Sequence, residues 1–501
     1  MRIHTIFALL AAFLFISACF PAQPVVDAPP STEPVFLTLP VTDTSIAPLE
    51  TETPQPTNTP RPALERAKYT LNAAVDYDAH TVTVDQTILY PNQTGNQLNT
   101  LVLAVTPNLW AGSFTLSSLV IDGETVTTYS LDGQRLDVSL ASFLPAGGVT
   151  EIKLQYTLAL PFAEQEDPGI SRPRIYGYTS RQINLVNWYP FVVPNINGEW
   201  ILHDPWYYGE HLVYDAADYE VNLKFSDPAS VPVVASSGIP EALPDGSTRY
   251  TIESARTFAL AASRDFQVAS TVVGDVTLTS YYFPFNERGG QAALQASAQA
   301  LQVFSSRYGP YPHKSLSIVM GDFNDGMEYS AFFYLSRDFY NLYDGTPANH
   351  LIAIAAHETA HQWWFEQVAS DQALQPWLDE ALSTYSERIY YENTSPDILS
   401  GWWWPYRIDF YEPQGFIDIP VYEGQGFVPY WATVYFNGAY FFEDLRERIG
   451  DEAFFAFIQD YLNQGRGRIV TANDFFRILR THTGATDISD LVNQYFRSVY
   501  Q

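Results

Sequence analysis

The segment AAHETAHQWW at 355–364 constrains the fold more than any other stretch of this 501-residue chain. Its two histidines, His357 and His361, are four residues apart, and a helix of 3.6 residues per turn projects such a pair from one face. Two neutral imidazoles placed in this way suit one Zn²⁺ ion, whose bonds to histidine nitrogen are about 2.0 to 2.1 Å long. The segment therefore predicts a helix that carries part of a metal site.

Glu358 and Glu380 are the carboxylates that such a site needs. Glu358 lies on the same predicted helix but is turned away from the histidines, so it is placed to reach a water on the metal as general base. Glu380, in WLDEALSTYSE, follows His361 after eighteen intervening residues. Pro376 and the polar stretch 370–372 interrupt the first helix, which allows a second helix to return and present Glu380 as the third ligand. We expect one zinc ion per chain here; the competing interpretation is a core histidine pair satisfied by buried carboxylates.

The composition favours a soluble globular protein. With 46% hydrophobic and 16% charged residues, the chain can bury large cores, and its length suggests two or three domains. It has 56 Asp and Glu against 26 Lys and Arg, a formal net charge of −30. A surface of that sign repels phosphate backbones and anionic lipid headgroups, which disfavours nucleic acid and polybasic membrane docking.

The first residues have the features of an export signal. A basic start at Arg2 is followed by an apolar run at 6–16 and small residues before Cys19, the single cysteine. The run is too short for a comfortable membrane-spanning helix, and the ending ISAC resembles a bacterial lipobox. We expect 1–18 to be a lipoprotein signal peptide and Cys19 to be the lipidation site that anchors an exported protein at a bacterial cell surface or in the periplasm. The alternative is a plain signal peptide with an incidental cysteine.

Changes in composition and in the pattern of apolar residues divide the rest of the chain into segments. Residues 19–65 are rich in Pro and Thr and lack an apolar period, which predicts a disordered tether. Residues 66–268 alternate apolar and polar residues in short runs, which predicts an antiparallel β domain. Residues 269–501 combine strands with helices of period 3.6, which predicts a second, mixed domain. Within it, 350–368 is predicted to be one long helix.

Four motifs in order resemble the zinc aminopeptidases of the aminopeptidase N family, which are gluzincins with a thermolysin-like catalytic domain. They are GMEYSA at 326–331, HETAHQWW at 357–364, WLDEALSTYSE at 377–387 and VYFNGAYFFEDLRERIG at 434–450. The resemblance runs from about Tyr69 to the C-terminus. It implies an N-terminal antiparallel, saddle-like β-sheet domain followed by a thermolysin-like α+β, mostly helical catalytic domain.

The resemblance also implies roles for residues outside the HExxH segment. Glu328 stands in the place of the glutamate that binds the free α-amino group of a substrate, and Gly326 and Met327 belong to the same substrate-binding edge. Tyr435 matches the tyrosine whose hydroxyl donates to the tetrahedral oxyanion. Taken alone, Glu328 is compatible with a solvated loop carboxylate and Tyr435 with a packed aromatic residue. Only 66 residues follow Tyr435, so we expect the large C-terminal helical domain of long members to be missing and the cleft to be open.

Several positions depart from the family pattern. Asp325 and Tyr329 flank GME where Gly and Asn are usual, so the substrate-binding edge is expected to be reshaped. Phe365 and Glu366 stand where many members have Gly-Asn. Asp379 precedes the third ligand where Asn is frequent, and it is suited to support the ligands from behind.

We expect an exported zinc aminopeptidase that removes N-terminal residues from peptides. Its expected partners are peptides with a free N-terminus, and the membrane through the lipid anchor alone. Two alternatives stay open: a zinc endopeptidase with an open cleft, and a non-catalytic surface lipoprotein that holds glycans or peptides. The aromatic run Trp402–Trp403–Trp404–Pro405–Tyr406 is compatible with a substrate platform for either, or with core packing.

Overall fold

A computed structural model describes residues 66–163 and 175–500, which belong to one compact unit. The predicted signal peptide, Cys19 and the tether at 19–65 lie outside the described residues. Among the helices that are described, none is long and apolar enough to cross a membrane.

The N-terminal part is built from strands that bury every second side chain. In the first strand, Tyr69, Leu71, Ala73 and Val75 are buried while the residues between them face outward, as expected for a strand with one face on a core. The strands are β1 (Ala67–Asp76), β2 (Thr81–Pro91), β3 (Leu98–Ala104), β4 (Phe114–Ile121), β5 (Glu124–Thr125), β6 (Tyr129–Asp132), β7 (Arg135–Leu144), β8 (Val149–Ala159), β9 (Gly177–Tyr178), β10 (Ile183–Leu185), β11 (Phe191–Val192), β12 (Asn195–Ile196), β13 (Glu199–Trp200), β14 (Ala217–Phe225), β15 (Val233–Ser236), β16 (Ile239–Ala242), β17 (Thr248–Ala255) and β18 (Leu260–Ser263).

Most of these strands pair antiparallel. The largest sheet has eight strands in the order β16-β17-β14-β1-β2-β8-β4-β5. Its neighbours are antiparallel except β1 and β14, which run parallel with Ala67 opposite Ala217. Parallel neighbours need a long connection, and here the intervening chain contains β2 to β13, which include the sheet β11-β3-β7-β6 and the pair β12-β13. The other four-stranded sheet, β15-β18-β10-β9, combines strands from before and after β14. The predicted β domain is confirmed, but it is not purely antiparallel.

A five-stranded mixed sheet begins the predicted catalytic domain, which is called the catalytic part below. Its strands are β19 (Gln267–Val273), β20 (Val276–Tyr282), β21 (Ser315–Met320), β22 (Met327–Tyr329) and β23 (Phe332–Leu335), in the order β19-β20-β21-β23-β22. Helix α1 (Glu287–Arg307) connects the parallel strands β20 and β21. Strand β22 lies at the edge of this sheet. The predicted boundary at 268/269 falls inside β19.

The remaining chain is mostly helical, as predicted. Helix α3 packs against both α1 and α4, so the ligand-bearing helices are held by the long first helix. The further elements are α2 (Arg337–Asn341), α3 (His350–Ala360), β24 (Val368–Ser370), α4 (Trp377–Thr394), α5 (Phe427–Trp431), α6 (Gly438–Ile449), α7 (Asp451–Gly465), β25 (Arg468–Val470), α8 (Ala472–Arg480), α9 (Ser489–Tyr495), and two π-helical segments at Leu399–Ile408 and Ala432–Asn437.

Helix α3 is shorter than the sequence predicts. We predicted one helix over 350–368, but α3 ends at Ala360. Beyond it, the Gln362 side chain donates to the carbonyl of Tyr329 at 3.1 Å and accepts from the backbone of Ala331 at 2.9 Å. These bonds tie the chain to both sides of the β22–β23 turn. Tertiary hydrogen bonds therefore outweigh the helical tendency of this segment.

Candidate metal centre and active site

Helices α3 and α4 bring the three predicted metal ligands together. The Nε2 atoms of His357 and His361 are 3.1 Å apart. Oε2 of Glu380, in the first turn of α4, lies 3.3 Å from Nε2 of His357 and 3.5 Å from Nε2 of His361. All three side chains are buried. The structure thus places one oxygen and two nitrogens around a single point.

These separations fit one zinc ion. A tetrahedral ion with bonds of about 2.0 to 2.1 Å separates its ligand atoms by about 3.3 Å. In addition, Oε2 of Glu380 is buried and accepts no hydrogen bond from any described residue, which is costly for a carboxylate unless a cation neutralises it. In a satisfied core cluster this oxygen would accept a hydrogen bond. The geometry therefore favours a metal site over the core histidine pair.

The other ring nitrogens of both histidines have acceptors. Nδ1 of His361 lies 3.1 Å from the backbone carbonyl of Trp364, to which it donates. Nδ1 of His357 lies 3.2 Å from Oε1 of Glu387. A proton on Nδ1 leaves the Nε2 lone pair free for a metal, and such contacts fix the orientation of the ring. The Trp364 carbonyl is in reach because α3 has already ended at Ala360.

Glu387 is the centre of a buried charge network that the sequence analysis missed. Its carboxylate accepts from Nε and a terminal nitrogen of Arg407 at 3.0 and 2.7 Å, and from the indole of Trp403 at 2.9 Å. Burial opposes its ionisation, but the charge of Arg407 more than offsets this and holds the pKa of Glu387 at about 2. A signal was present: Glu387 follows Glu380 by seven residues, two turns along the same helical face.

The predicted general base lies against the predicted substrate edge. Glu358 is buried, and no residue that the structure describes donates a hydrogen bond to its Oε2. Burial raises the pKa of Glu358 to about 8, and a nearby divalent cation would lower it because opposite charge favours the carboxylate. A Cβ atom added to Gly326 would lie 2.9 Å from Oε1 of Glu358. Glycine at 326 therefore leaves the space that this carboxylate occupies.

The other residues of the predicted edge lie on β22. Glu328 is only 5% exposed, and its Oε1 accepts a hydrogen bond from Nε2 of Gln372 at 3.1 Å. The alternative of a solvated loop carboxylate is therefore wrong. Met327 precedes it and is half-buried. Because β22 is an edge strand, its outer side has no neighbouring strand in the sheet.

Tyr435 lies beside the first ligand. Its ring is parallel to that of His357, with the centroids 6.0 Å apart and the planes at 5°. It belongs to the π-helical segment Ala432–Asn437, a geometry that is frequent at functional sites. The side chain is half-buried, so the phenol is not simply a core residue.

Asp379 lies directly before the third ligand. Among the described residues, neither of its carboxylate oxygens has a hydrogen-bond partner, so it makes no hydrogen bond to a metal ligand. The side chain is 1% exposed. Burial, with the adjacent charge of Glu380, raises the pKa of Asp379 well above its usual range. One of its oxygens lies within 4.8 Å of a carboxylate oxygen of Glu328 and of a ring nitrogen of His361.

A cavity of about 350 Å³ opens beside Glu328 and Met327. Residues of the β domain and of the catalytic part line it together, which is why the sequence could not reveal it. Glu210 and Asn187 are among its polar lining residues. The aromatic residues that line it are Trp110, Tyr176, Trp206, Tyr207, Tyr214, Tyr329 and Phe365.

The tryptophan run divides between core and surface. Trp403 is fully buried and belongs to the network of Glu387. Trp402 and Trp404 are half-buried, whereas Tyr406 is 59% exposed. The core interpretation therefore holds for Trp403, which supports a ligand-orienting carboxylate.

The fold and the site together define a class. A mostly helical part with HExxH on one helix and a glutamate ligand on the next, preceded by a β-rich part, is the architecture of gluzincin metallopeptidases. Residues 292–495 match the sequence profile of the peptidase family M1 domain. This match, together with the site, supports an aminopeptidase N-like gluzincin, a class whose metal is zinc.

Two curated relatives are similar over part of the chain. Aminopeptidase N of Oryctolagus cuniculus is 30% identical over 118 residues, which are 22% of this chain and 12% of that protein. Aminopeptidase N of Canis lupus familiaris is 31% identical over 114 residues, or 21% of this chain and 12% of that protein. The matched segment thus spans about an eighth of these relatives.

Solved structures are similar over most of the chain. The M1 zinc metallopeptidase from Deinococcus radiodurans has a TM-score of 0.66 at 18% identity, with 87% of this chain and 94% of that chain covered. A mutant of it bound to a Tyr-Ser-Ala substrate has a TM-score of 0.62 at 19% identity, with coverage of 87% and 95%. These similarities confirm the predicted fold of a β-sheet domain followed by a mostly helical catalytic domain.

Proposed function

We propose that this protein is a zinc-dependent aminopeptidase that removes N-terminal residues from peptides. The observation that carries the proposal is the position of Glu328. A buried carboxylate lies near a complete zinc-ligand set, and it has an aromatic cavity on one side. A fixed negative charge at this place favours a peptide whose ammonium group is one residue from the scissile carbonyl.

The proposed catalytic groups have distinct roles. Zinc, when bound by His357, His361 and Glu380, supplies a Lewis acid for the scissile carbonyl and for an attacking water. Glu358 removes the proton of that water and later delivers it to the leaving amine. The hydroxyl of Tyr435 donates a hydrogen bond to the oxygen that becomes negative in the transition state.

The cavity beside Glu328 is the proposed pocket for the first side chain of the peptide. Its wall is mostly apolar and includes seven aromatic residues, so burial of an aromatic or large aliphatic side chain is favourable there. The Deinococcus radiodurans neighbour is described with a bound Tyr-Ser-Ala substrate, which agrees with this preference. We therefore expect Phe, Tyr and Leu as preferred first residues and Asp as a poor one.

A panel of aminoacyl fluorogenic amides tests these proposals. The purified protein is assayed on Phe, Leu, Ala and Asp amides, with and without a chelator, and on N-acetylated versions of each. We expect chelator-sensitive cleavage of the free-amine substrates alone, fastest for Phe and Leu. Cleavage of acetylated substrates or of blocked internal peptide bonds would support an endopeptidase instead. No cleavage despite one bound zinc per chain would support a non-catalytic binding protein.

We also propose that the protein is exported and anchored by a lipid on Cys19. The support is the sequence pattern of residues 1–19, an apolar run with a basic start that ends in ISAC. In a bacterial host that processes lipoproteins, the wild-type chain should incorporate labelled fatty acid and enter the detergent phase. Cys19→Ser should do neither. Equal labelling of both chains would refute the anchor.

A further inference from the structure

Asp379 is a buried acid that the proposed reaction does not use. It is 1% exposed, and in the part of the chain that the structure describes, both of its carboxylate oxygens lack a hydrogen-bond partner. A buried carboxylate in this condition carries a large desolvation cost. The first turn of α4, where Asp379 lies, offsets part of this cost through the partial positive charge of a helix N-terminus. The remaining cost indicates that a cationic group belongs at this place.

The second observation is the distance from Asp379 to Glu328. One oxygen from each carboxylate lies within 4.8 Å of the other. A single nitrogen that donates tetrahedrally to two oxygens at about 2.8 Å separates them by about 4.6 Å. We propose that Asp379 and Glu328 together bind the α-ammonium group of the substrate, with one charge-assisted hydrogen bond to each carboxylate. This inference rests on the proposed aminopeptidase function.

A second metal ion fits the same place less well. His361 is the nitrogen donor that lies within reach of both carboxylates. Its Nδ1 donates to the carbonyl of Trp364, and its Nε2 faces His357 and Glu380 in the zinc site. Neither nitrogen is available, so a second metal would have only two carboxylate ligands. An ammonium group needs acceptors alone, and two carboxylates supply them.

A pair of carboxylates, Asp379 and Glu328, should select peptides with a free N-terminus more strongly than one carboxylate would. Oε1 of Glu328 already accepts a hydrogen bond from Gln372, whereas no described residue donates one to Asp379. A peptide with an acylated N-terminus brings no positive charge and leaves Asp379 buried without a cation. We therefore assign to Asp379 a large share of the discrimination against blocked peptides. The family pattern, in which Asn is frequent at this position, offers the matched substitution Asp379→Asn.

The test measures binding, so it does not depend on turnover. Isothermal titration of zinc-loaded protein uses L-tryptophan as the probe and indole-3-propionic acid, which lacks the amino group, as the control ligand. Asp379→Asn should weaken L-tryptophan binding about tenfold or more, because a hydrogen bond between two charged groups is replaced by a weaker one to a neutral amide oxygen. Binding of indole-3-propionic acid should change less than twofold. Zinc content, measured by mass spectrometry, should stay at one ion per chain.

Thermal stability separates binding from a structural role. Asp379→Asn should melt at the same temperature as the wild type or higher, because it removes a buried charge without breaking a hydrogen bond. Asp418→Asn is the control: Asp418 is buried but accepts from the backbone of Arg497 and Ser498 and from Tyr500. That variant should melt lower and bind L-tryptophan normally.

Three results would overturn the assignment of Asp379. They are L-tryptophan binding within twofold of wild type, equal weakening for both ligands, and two metal ions per wild-type chain. If Asp379→Asn fails to fold, the conservative variant Asp379→Ser is measured in the same way. If the wild type binds L-tryptophan with the expected dependence but cleaves no amide, the aminopeptidase proposal fails and the ammonium site stands.

Discussion

At the scale of single residues, the site depends on the contact between Glu358 and Gly326. Glu358 is buried, and its Oε2 has no hydrogen-bond partner among the residues 66–163 and 175–500. Its Oε1 lies 2.9 Å from the position that a Cβ at 326 would take. A general base must keep an unoccupied oxygen toward the reacting water. A small shift of the backbone at 326 is therefore expected to displace the Glu358 carboxylate and so to change the rate of the reaction.

Glu358→Gln should keep the zinc and lose nearly all activity. Glutamine has the same shape but cannot take a proton, and general base catalysis contributes about 10² to 10⁴ in rate. We expect kcat/KM to fall at least 100-fold on a Phe amide, with one zinc per chain by mass spectrometry. Glu253→Gln, at an exposed position, is the matched control and should be unchanged. A Glu358→Gln protein with more than a tenth of the wild-type rate would contradict the assignment.

Gly326→Ala should lower kcat while the protein stays folded. The new Cβ would lie 2.9 Å from Oε1 of Glu358, so the carboxylate or the β22 edge must move. A misplacement of about 1 Å in a catalytic group costs up to about 100-fold in rate, and we expect at least a tenfold loss. The matched control is Gly401→Ala, where a Cβ meets nothing within 4 Å. Equal activity of both variants would show that Glu358 tolerates the added methyl group.

At the scale of secondary-structure elements, two helix ends determine the ligand set. Helix α3 stops at Ala360, which presents the Trp364 carbonyl to His361. Helix α4 carries Glu380 in its first turn and Glu387 two turns later, so one helix supplies both a ligand and the carboxylate behind another ligand. Contacts of this kind commonly affect metal affinity.

Glu366, which stands where many family members have Asn, also has a structural role at this scale. Its carboxylate accepts from Oγ of Ser330 and from Nε2 of His313, each at 2.5 Å. Oγ of Ser330 in turn accepts from the backbone of Arg256 and Thr257 at 2.8 and 2.9 Å. Since Ser330 directly follows β22, Glu366 anchors one end of the edge strand that carries Glu328.

Glu387→Gln should weaken zinc binding by about 10- to 100-fold, the usual effect of removing a partner of a metal-bound histidine. The amide no longer compensates the buried charge of Arg407, and it holds the proton of His357 Nδ1 less strongly. Competition with a chromogenic chelator measures the affinity. Glu443→Gln is the control, because Glu443 pairs with Arg388 and Tyr385 rather than with a ligand. Equal zinc affinities in the two variants would refute the role of Glu387.

At the scale of the whole molecule, Arg256 joins the β domain to the catalytic part. It follows β17 and is 1% exposed. Its guanidinium donates to the carbonyls of Tyr214 at 3.1 Å, Glu366 at 3.1 Å, Gln367 at 3.4 Å and Arg468 at 3.0 Å. The cavity beside Glu328 has walls from both parts, so this junction also maintains the proposed substrate pocket.

Arg256→Lys should destabilise the protein by about 2 to 4 kcal/mol. Lysine keeps the charge but cannot reach four carbonyls at once, and each buried acceptor left without a partner costs about 1 to 3 kcal/mol. Denaturant unfolding measures the free energy. Arg264→Lys is the control: Arg264 pairs with Asp78 at the surface, where water screens the ion pair, so this variant should lose much less stability. Equal losses would show that Arg256 is not a structural junction.

The sequence by itself determined the elements whose signals are local. Helical spacing placed His357 and His361 on one face, the later Glu380 completed a ligand set, and alternation marked the β-rich half. Motif resemblance singled out Glu328 and Tyr435, which the structure brings to the same site. These inferences depend on periodicity and on residue types at set spacings, and both are local properties of the sequence.

Tertiary structure alone decided the rest, because those features depend on contacts between distant segments. Hydrogen bonds from Gln362 to the β22–β23 turn hold the early end of α3. The role of Glu387 depends on its ion pair with Arg407, which lies twenty residues later in the chain. The aromatic cavity needs walls from both halves of the molecule. Asp379 looks like an ordinary first-turn residue in the sequence; folding is what buries it without a partner, within reach of Glu328.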